Sequence, residues 1–169
     1  MASALYHASQ FVVSCGTVTL DLHSSKVLLI RWRSPDGNLE LMLPKGRKNI
    51  AETLEQAAIR ETLEETGYEA SLLPLPIQTL ATSTGTFKQG DLVTEPACVT
   101  ERNSGNARKI IFWFAAQADS TTAHQGQMLQ EGEDFEAVWE DVASAEKTIT
   151  HPSDREVFMA VLALARPRP

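Results

Sequence analysis

A chain of 169 residues, 43% of them hydrophobic and 22% charged, has ordinary globular statistics: enough for one domain with a sizeable core, and a squeeze for two. Its 22 Asp and Glu against 15 Lys and Arg give a formal net charge of −7, which excludes a surface that is basic throughout and disfavours non-specific binding to nucleic acid or anionic membrane. The two cysteines, Cys15 and Cys98, belong to no Cys-x-x-Cys or Cys/His cluster, so neither a zinc site nor a disulfide framework is expected. A reducing compartment is the simpler setting, the cytoplasm with the nucleus as the alternative. No basic stretch followed by an apolar one opens the chain, and no run approaches the roughly 18 apolar residues of a membrane span, so a soluble, unprocessed protein is expected.

In chain order, residues 11–22 mix β-branched residues with period-2 stretches and read as a strand. Residues 26–32 form a second, with an apolar centre that implies burial on both faces. Ser34-Pro35-Asp36-Gly37-Asn38 is a turn, and residues 39–43 a short strand running into Pro44-Lys45-Gly46. Residues 53–66 carry the clearest helix signal. Thr53 with Gln56 three residues on makes a capping box, Gly67 suits a left-handed C′ position, and Ile59 and Leu63 are expected to pack on the strands.

Past the helix, Pro74 and Pro76 interrupt an apolar stretch, leaving an edge-like strand near 77–82. Residues 84–107 show no period and read as a long loop, either a lid or a tolerated insertion. Residues 109–116 are a buried strand and 137–139 a final one. Residues 153–165 form a second helix with Ser153 as cap and Val157, Val161 and Leu164 on one stripe. The segments 1–9 and 166–169 are expected to flank a single domain over 10–165.

The first helix concentrates chemistry. At about 100° per residue, Glu61, Glu64 and Glu65 point to one side, where three like charges repel. An Arg60–Glu52 ion pair would not neutralise all three. A hard cation would, and oxygen-only ligands suit Mg²⁺ or Mn²⁺. A solvated acidic face is the alternative, but Pro44-Lys45-Gly46-Arg47-Lys48 places cations and a glycine turn beside the carboxylates, as phosphate chemistry requires.

The pattern Gly46-x5-Glu52-x7-Arg60-Glu61-x-x-Glu64-Glu65-x-Gly67 resembles the Nudix box, with every charged and glycine position present; Thr62 and Tyr68 stand where the family usually has an aliphatic residue. The resemblance runs more weakly over roughly residues 10–165. It implies an α/β/α sandwich with a mixed sheet between helices, and hydrolysis of a nucleoside diphosphate linked to another moiety or of a similar phosphoanhydride. It also implies Glu61, Glu64 and Glu65 as metal ligands, Glu61 as a candidate base, Arg60 with Glu52 as a supporting salt bridge, and a backbone carbonyl at Lys45-Gly46 toward the metal. A further carboxylate from outside the box is expected at Glu133, with Glu131 and Glu136 as rivals.

Leu43-Pro44-Lys45-Gly46 looks like the form found in dinucleoside polyphosphate hydrolases, and Arg31, Arg33, Lys45, Arg47 and Lys48 make a basic neighbourhood suited to a highly charged small molecule. Diphosphoinositol polyphosphates suit it equally. The alternatives are a smaller nucleotide, such as a nucleotide sugar or oxidised nucleoside triphosphate, and a non-catalytic domain that senses a nucleotide. Arg102, Arg108 and Lys109 join the basic group if the long loop folds over the site. Trp32, Trp113 and Trp139 are assigned to packing, and His23, His124 and His151 to no role.

Overall fold

The computed structural model describes residues 4–82, 85, 88, 90–105, 107–126 and 135–165. In chain order the elements are β1 (Phe11–Asp21), β2 (Lys26–Arg33), β3 (Leu39–Met42), β4 (Lys45–Arg47), α1 (Leu54–Thr66), β5 (Ser71–Leu72), β6 (Cys98–Ser104), β7 (Ala107–Gln117), β8 (Phe135–Asp141), α2 (Val142–Thr148) and α3 (Pro152–Ala165). All eight strands join one mixed sheet whose central path is β3-β2-β1-β7-β5. Its spine is the parallel pair β1–β7, in register from Phe11 opposite Arg108 to Leu20 opposite Gln117, and the other pairings are antiparallel.

Strand alternation decides what each face of the sheet meets. Val18 and Leu20 of β1, Val27 and Leu29 of β2, and Ile111, Trp113 and Ala115 of β7 bury against Ala145 of α2 and Val157, Phe158, Val161 and Leu162 of α3. On the opposite face Cys15 of β1 and Phe114 of β7 meet Ala57 and Ala58 of α1. The result is a helix/sheet/helix sandwich, as the sequence led us to expect. No helix among the described residues is long and apolar enough to cross a membrane.

Helix α1 starts and stops where its sequence dictates. The Thr53 side chain accepts the Gln56 N–H, the Gln56 side chain accepts the Thr53 N–H, and Gly67 ends the helix at φ 71°. The face it buries differs from expectation. Ala57, Ala58, Thr62 and Thr66 lie against the sheet together with Glu61 and Glu65, while Ile59 and Leu63 are only half-buried on the flank toward Leu72. Small residues bring the helix axis close to β1, where Thr62 shares a 2.7 Å hydrogen bond with Thr17 and donates to the Ala58 carbonyl at 2.8 Å. Thr17 continues to Thr19 at 2.8 Å.

Other expectations need correction. No strand forms over 77–82; Pro74 and Pro76 leave the two-residue β5 and an isolated bridge between Leu75 and Val93. The stretch 84–107 is not wholly loop, because β6 pairs with β7 through a tight turn at Gly105, φ 58°. The three-residue β4 and the seven-residue α2 are too short for periodicity to reveal. Ser153 lies inside α3, which Pro152 opens from a position that needs no N–H donor.

Candidate functional site

Strand β1 changes partners along its length. Thr19 to Asp21 pair with β2, whereas Ser14, Cys15 and Gly16 pair with Arg47, Gly46 and Lys45 of β4. Gly16 permits this close approach: a Cβ there would lie 2.6 Å from both the Pro44 carbonyl oxygen and the Trp113 ring, and 2.7 Å from Lys45 Cβ. Between the diverging strands lies a cavity of about 670 Å³. Its lining brings together Glu61, Glu65 and Arg60 of α1, Lys45 and Arg47 of β4, Lys109 of β7, and the apolar Ile30, Met42 and Phe135.

Arg60 is the hub of the carboxylates. Its Nε and Nη2 donate to the two oxygens of Glu52 at 2.7 and 3.0 Å, a two-pronged pair. Its Nη1 donates to Glu61 Oε1 at 2.7 Å and Glu64 Oε2 at 2.8 Å, and Nη2 also reaches the Arg47 carbonyl at 2.9 Å. The Arg60 hydrogen bond holds the Glu52 carboxyl below the usual range despite its burial, and Glu52 in turn raises the Arg60 guanidinium further above its ordinary value. The sequence reading paired Arg60 with Glu52 alone; its guanidinium in fact compensates two of the three helix glutamates as well. Glu65 turns elsewhere, its Oε2 accepting the Lys45 N–H at 2.8 Å and so tying α1 to β4.

Gly46 faces Glu61 across the narrowest gap in the site. A methyl group built on Gly46 would overlap all three atoms of the Glu61 carboxylate, so any side chain here would have to push that carboxylate from its place. Leu43, just upstream, gives its N–H to Asp154 Oδ2 at 3.2 Å, and Asp154, fully buried at the start of α3, also takes Arg102 Nη2 at 2.6 Å. The segment from Leu43 into β4 is thus held by Asp154 at one end and by Glu65 at the other.

Not all candidate cations converge. Arg31 pairs with Glu136 at 2.9 Å and Arg33 donates to the Gly37 carbonyl at 3.2 Å; neither lines the cavity. Lys48 reaches the Asn49 carbonyl at 2.9 Å, and Lys45 Nζ the Leu43 carbonyl at 3.2 Å. Glu133 and Glu131 lie outside the described residues, and Glu136 is engaged with Arg31. Lys109, named in the sequence only as a conditional neighbour, lines the cavity itself. Trp113 is buried, while Trp139 packs edge-on to Tyr68 with ring centres 5.4 Å apart.

The oxygen donors here are of the kind a hard divalent cation takes. Buried Glu61 and Glu65 line the cavity, Glu64 is half-buried outside that lining, and Gly46 leaves room for a backbone segment against the Glu61 carboxylate. Glu61 and Glu64 share Arg60 Nη1, and Glu65 accepts the Lys45 N–H. No cluster of three His, Cys, Asp or Glu ready to hold a metal occurs among the described residues.

Comparisons with known proteins agree with the box. Residues 11–161 match the family described as NUDIX domain. A 42-residue stretch is 55% identical to a Caenorhabditis elegans protein provisionally named nudix hydrolase 2, covering 25% of this chain and only 19% of that protein's length. The fold is similar to a NUDIX hydrolase from Nitrosomonas europaea, with TM-score 0.63 and 18% identity over 91% of this chain and 90% of that one. It is similar as well to the ORF135 protein of E. coli, with TM-score 0.58 and 19% identity over 95% and 94% of the two chains.

Proposed function

The chain belongs to the NUDIX domain family, and from that premise we propose that it is a hydrolase that uses Mg²⁺ or Mn²⁺ to cleave a phosphoanhydride bond in a highly charged small molecule. The observation that supports this best is one cavity lined both by buried carboxylates of α1 and by cations of β4 and β7. Carboxylates alone would suit a bound cation and cations alone a phosphate; cleavage of an anhydride calls for both.

In this reading Glu61, Glu64 and Glu65, with a carbonyl from Lys45 or Gly46, would hold the cation, which would supply Lewis-acid chemistry toward phosphoryl oxygens and water. Arg60, bonded to Glu52, Glu61 and Glu64 together, fixes where two of these carboxylates point before substrate arrives. Glu61, buried at the cavity, takes the proton of the attacking water. Lys45 offsets the charge that builds on phosphoryl oxygens.

Diadenosine polyphosphates and diphosphoinositol polyphosphates are the preferred substrates, because the cations lining the cavity suit a dense anion. Product formation from a panel containing both, a nucleotide sugar and an oxidised nucleoside triphosphate, with Mg²⁺ and with Mn²⁺, tests the reading. Glu64→Gln should lower turnover about 100-fold or more without loss of folding. Turnover of the smaller nucleotides alone would shift the substrate class. Turnover of none would leave a sensing domain, and an unimpaired variant would remove Glu64 from the metal.

A further inference from the structure

The cations near the site divide by what already holds them. Arg60 is spent on three glutamates, Arg102 on buried Asp154, and Arg31 on Glu136. Arg108 pairs with Glu101 and stacks over Tyr6, 4.7 Å from the ring centre. Lys109 differs from all of these. It is half-buried, it lines the cavity, and its ammonium makes no hydrogen bond or salt bridge with the described residues.

Its surroundings make that state costly. Lys109 stands opposite Arg102 in the β6–β7 register, with Lys45 and Arg47 also close enough to act on it and Glu65 as the one opposing charge. Burial first, and then these cations, push its ammonium below the ordinary lysine value. A half-buried ammonium crowded by three cations and faced by one carboxylate among these neighbours is short of negative charge, and the cavity it lines could supply it from a bound anion. Arg47, whose guanidinium likewise makes no ion pair among the described residues, lines the same cavity.

We infer that Lys109, supported by Arg47, is an anion subsite that grips phosphate beyond the two joined by the cleaved bond, so that the cavity selects chains of three or more phosphates. This rests on the proposed reading, in which the carboxylates and their cation serve the scissile pair. Lys109 and Arg47, two cations of the cavity lining whose side chains form no ion pair among the described residues, then match the charge that each added phosphate brings.

The test is equilibrium binding of inorganic pyrophosphate and tripolyphosphate, with Mg²⁺ and in EDTA, to the full chain and to Lys109→Met, Lys109→Arg and, as a control far from the cavity, Lys147→Met. Tripolyphosphate should bind wild type more tightly than pyrophosphate. Lys109→Met should weaken it about tenfold and change pyrophosphate much less, with Lys109→Arg retaining most of the affinity. Unchanged tripolyphosphate binding in Lys109→Met, or equal losses for the two anions, would overturn the inference. Because binding is read without turnover, the two proposals fail separately. A Lys109-dependent preference with no hydrolysis of any substrate removes the catalytic reading alone. Hydrolysis with Lys109-independent binding removes the subsite alone.

Discussion

The two faces of the sheet are built on different principles. The α3 face is mostly apolar: Phe158, Val161, Leu29 and Trp113 share one buried cluster, with the hydrogen-bonded Asp154 buried at the start of the helix. The α1 face is thin and polar, with alanines and threonines drawing the helix near and hydroxyls of Thr17, Thr19 and Thr62 linked in a buried chain. Apolar packing tolerates small slippage because its attraction is non-directional, whereas hydrogen bonds fix a register. The carboxylates stand on the side that is registered, and stability is supplied from the side that is merely packed.

Mutations should separate the two. On the packed side, Phe158→Ala should cost about 3–5 kcal/mol in denaturant unfolding while leaving KM near wild type in the molecules that remain folded. On the registered side the reverse is expected. Gly46→Ala should lower turnover about 100-fold by pushing aside the flexible end of Glu61, with Tm almost unchanged. A Tm that falls with activity would show that the glycine serves the fold and not the site.

Thr62→Val sharpens the contrast at smaller scale. It removes the hydroxyl that bonds Thr17 and the Ala58 carbonyl, and about 1 kcal/mol of stability should go with it; Thr17→Val in the same chain should add less than its single effect.

The smallest effect is acid sensitivity. Glu52 is held below its ordinary value first by Arg60, and Asp21 is depressed because hydrogen bonds from Ser120 and Ser24 outweigh its burial. A carboxyl with a depressed folded value stabilises above its unfolded range and loses that contribution as pH falls through the folded one. Tm should therefore hold between about pH 8 and 5 and fall below about 4, and Glu52→Gln should flatten part of that fall. An acid limb unchanged in Glu52→Gln would assign it to other carboxyls.

Much of this was legible from residue order. The capped helix, the strands 11–22, 26–32 and 109–116, and the sandwich they imply followed from caps, alternation and turn residues, which act locally. The sequence misled where tertiary contacts decide. Ile59 and Leu63 looked like the packing face, yet Ala57, Ala58 and Thr62 took that place because only small side chains allow α1 to reach β1. Strand β6 hid in a polar stretch because it is stabilised by pairing with β7 and not by burial. Within the site, the box residues stand at neighbouring positions on one helix and are readable as a motif. Lys109 and Asp154 arrive from elements far along the chain, and nothing adjacent to either announces the cavity or the Leu43 turn it serves.

The parallel pairing of β1 with β7 sets an order in time. Phe11 meets Arg108 only after almost a hundred intervening residues have been gathered, a slow closure compared with a hairpin or a helix turn. A ribosome that has released residues 11–67 has delivered every glutamate and glycine of the motif, and α1 can already be capped. The strand that underlies them, and the lysine at its edge, are still unmade. The cavity is therefore completed late in synthesis, after β7 has closed the spine and β8 and α3 have brought Phe135 to its lining and Asp154 to Leu43.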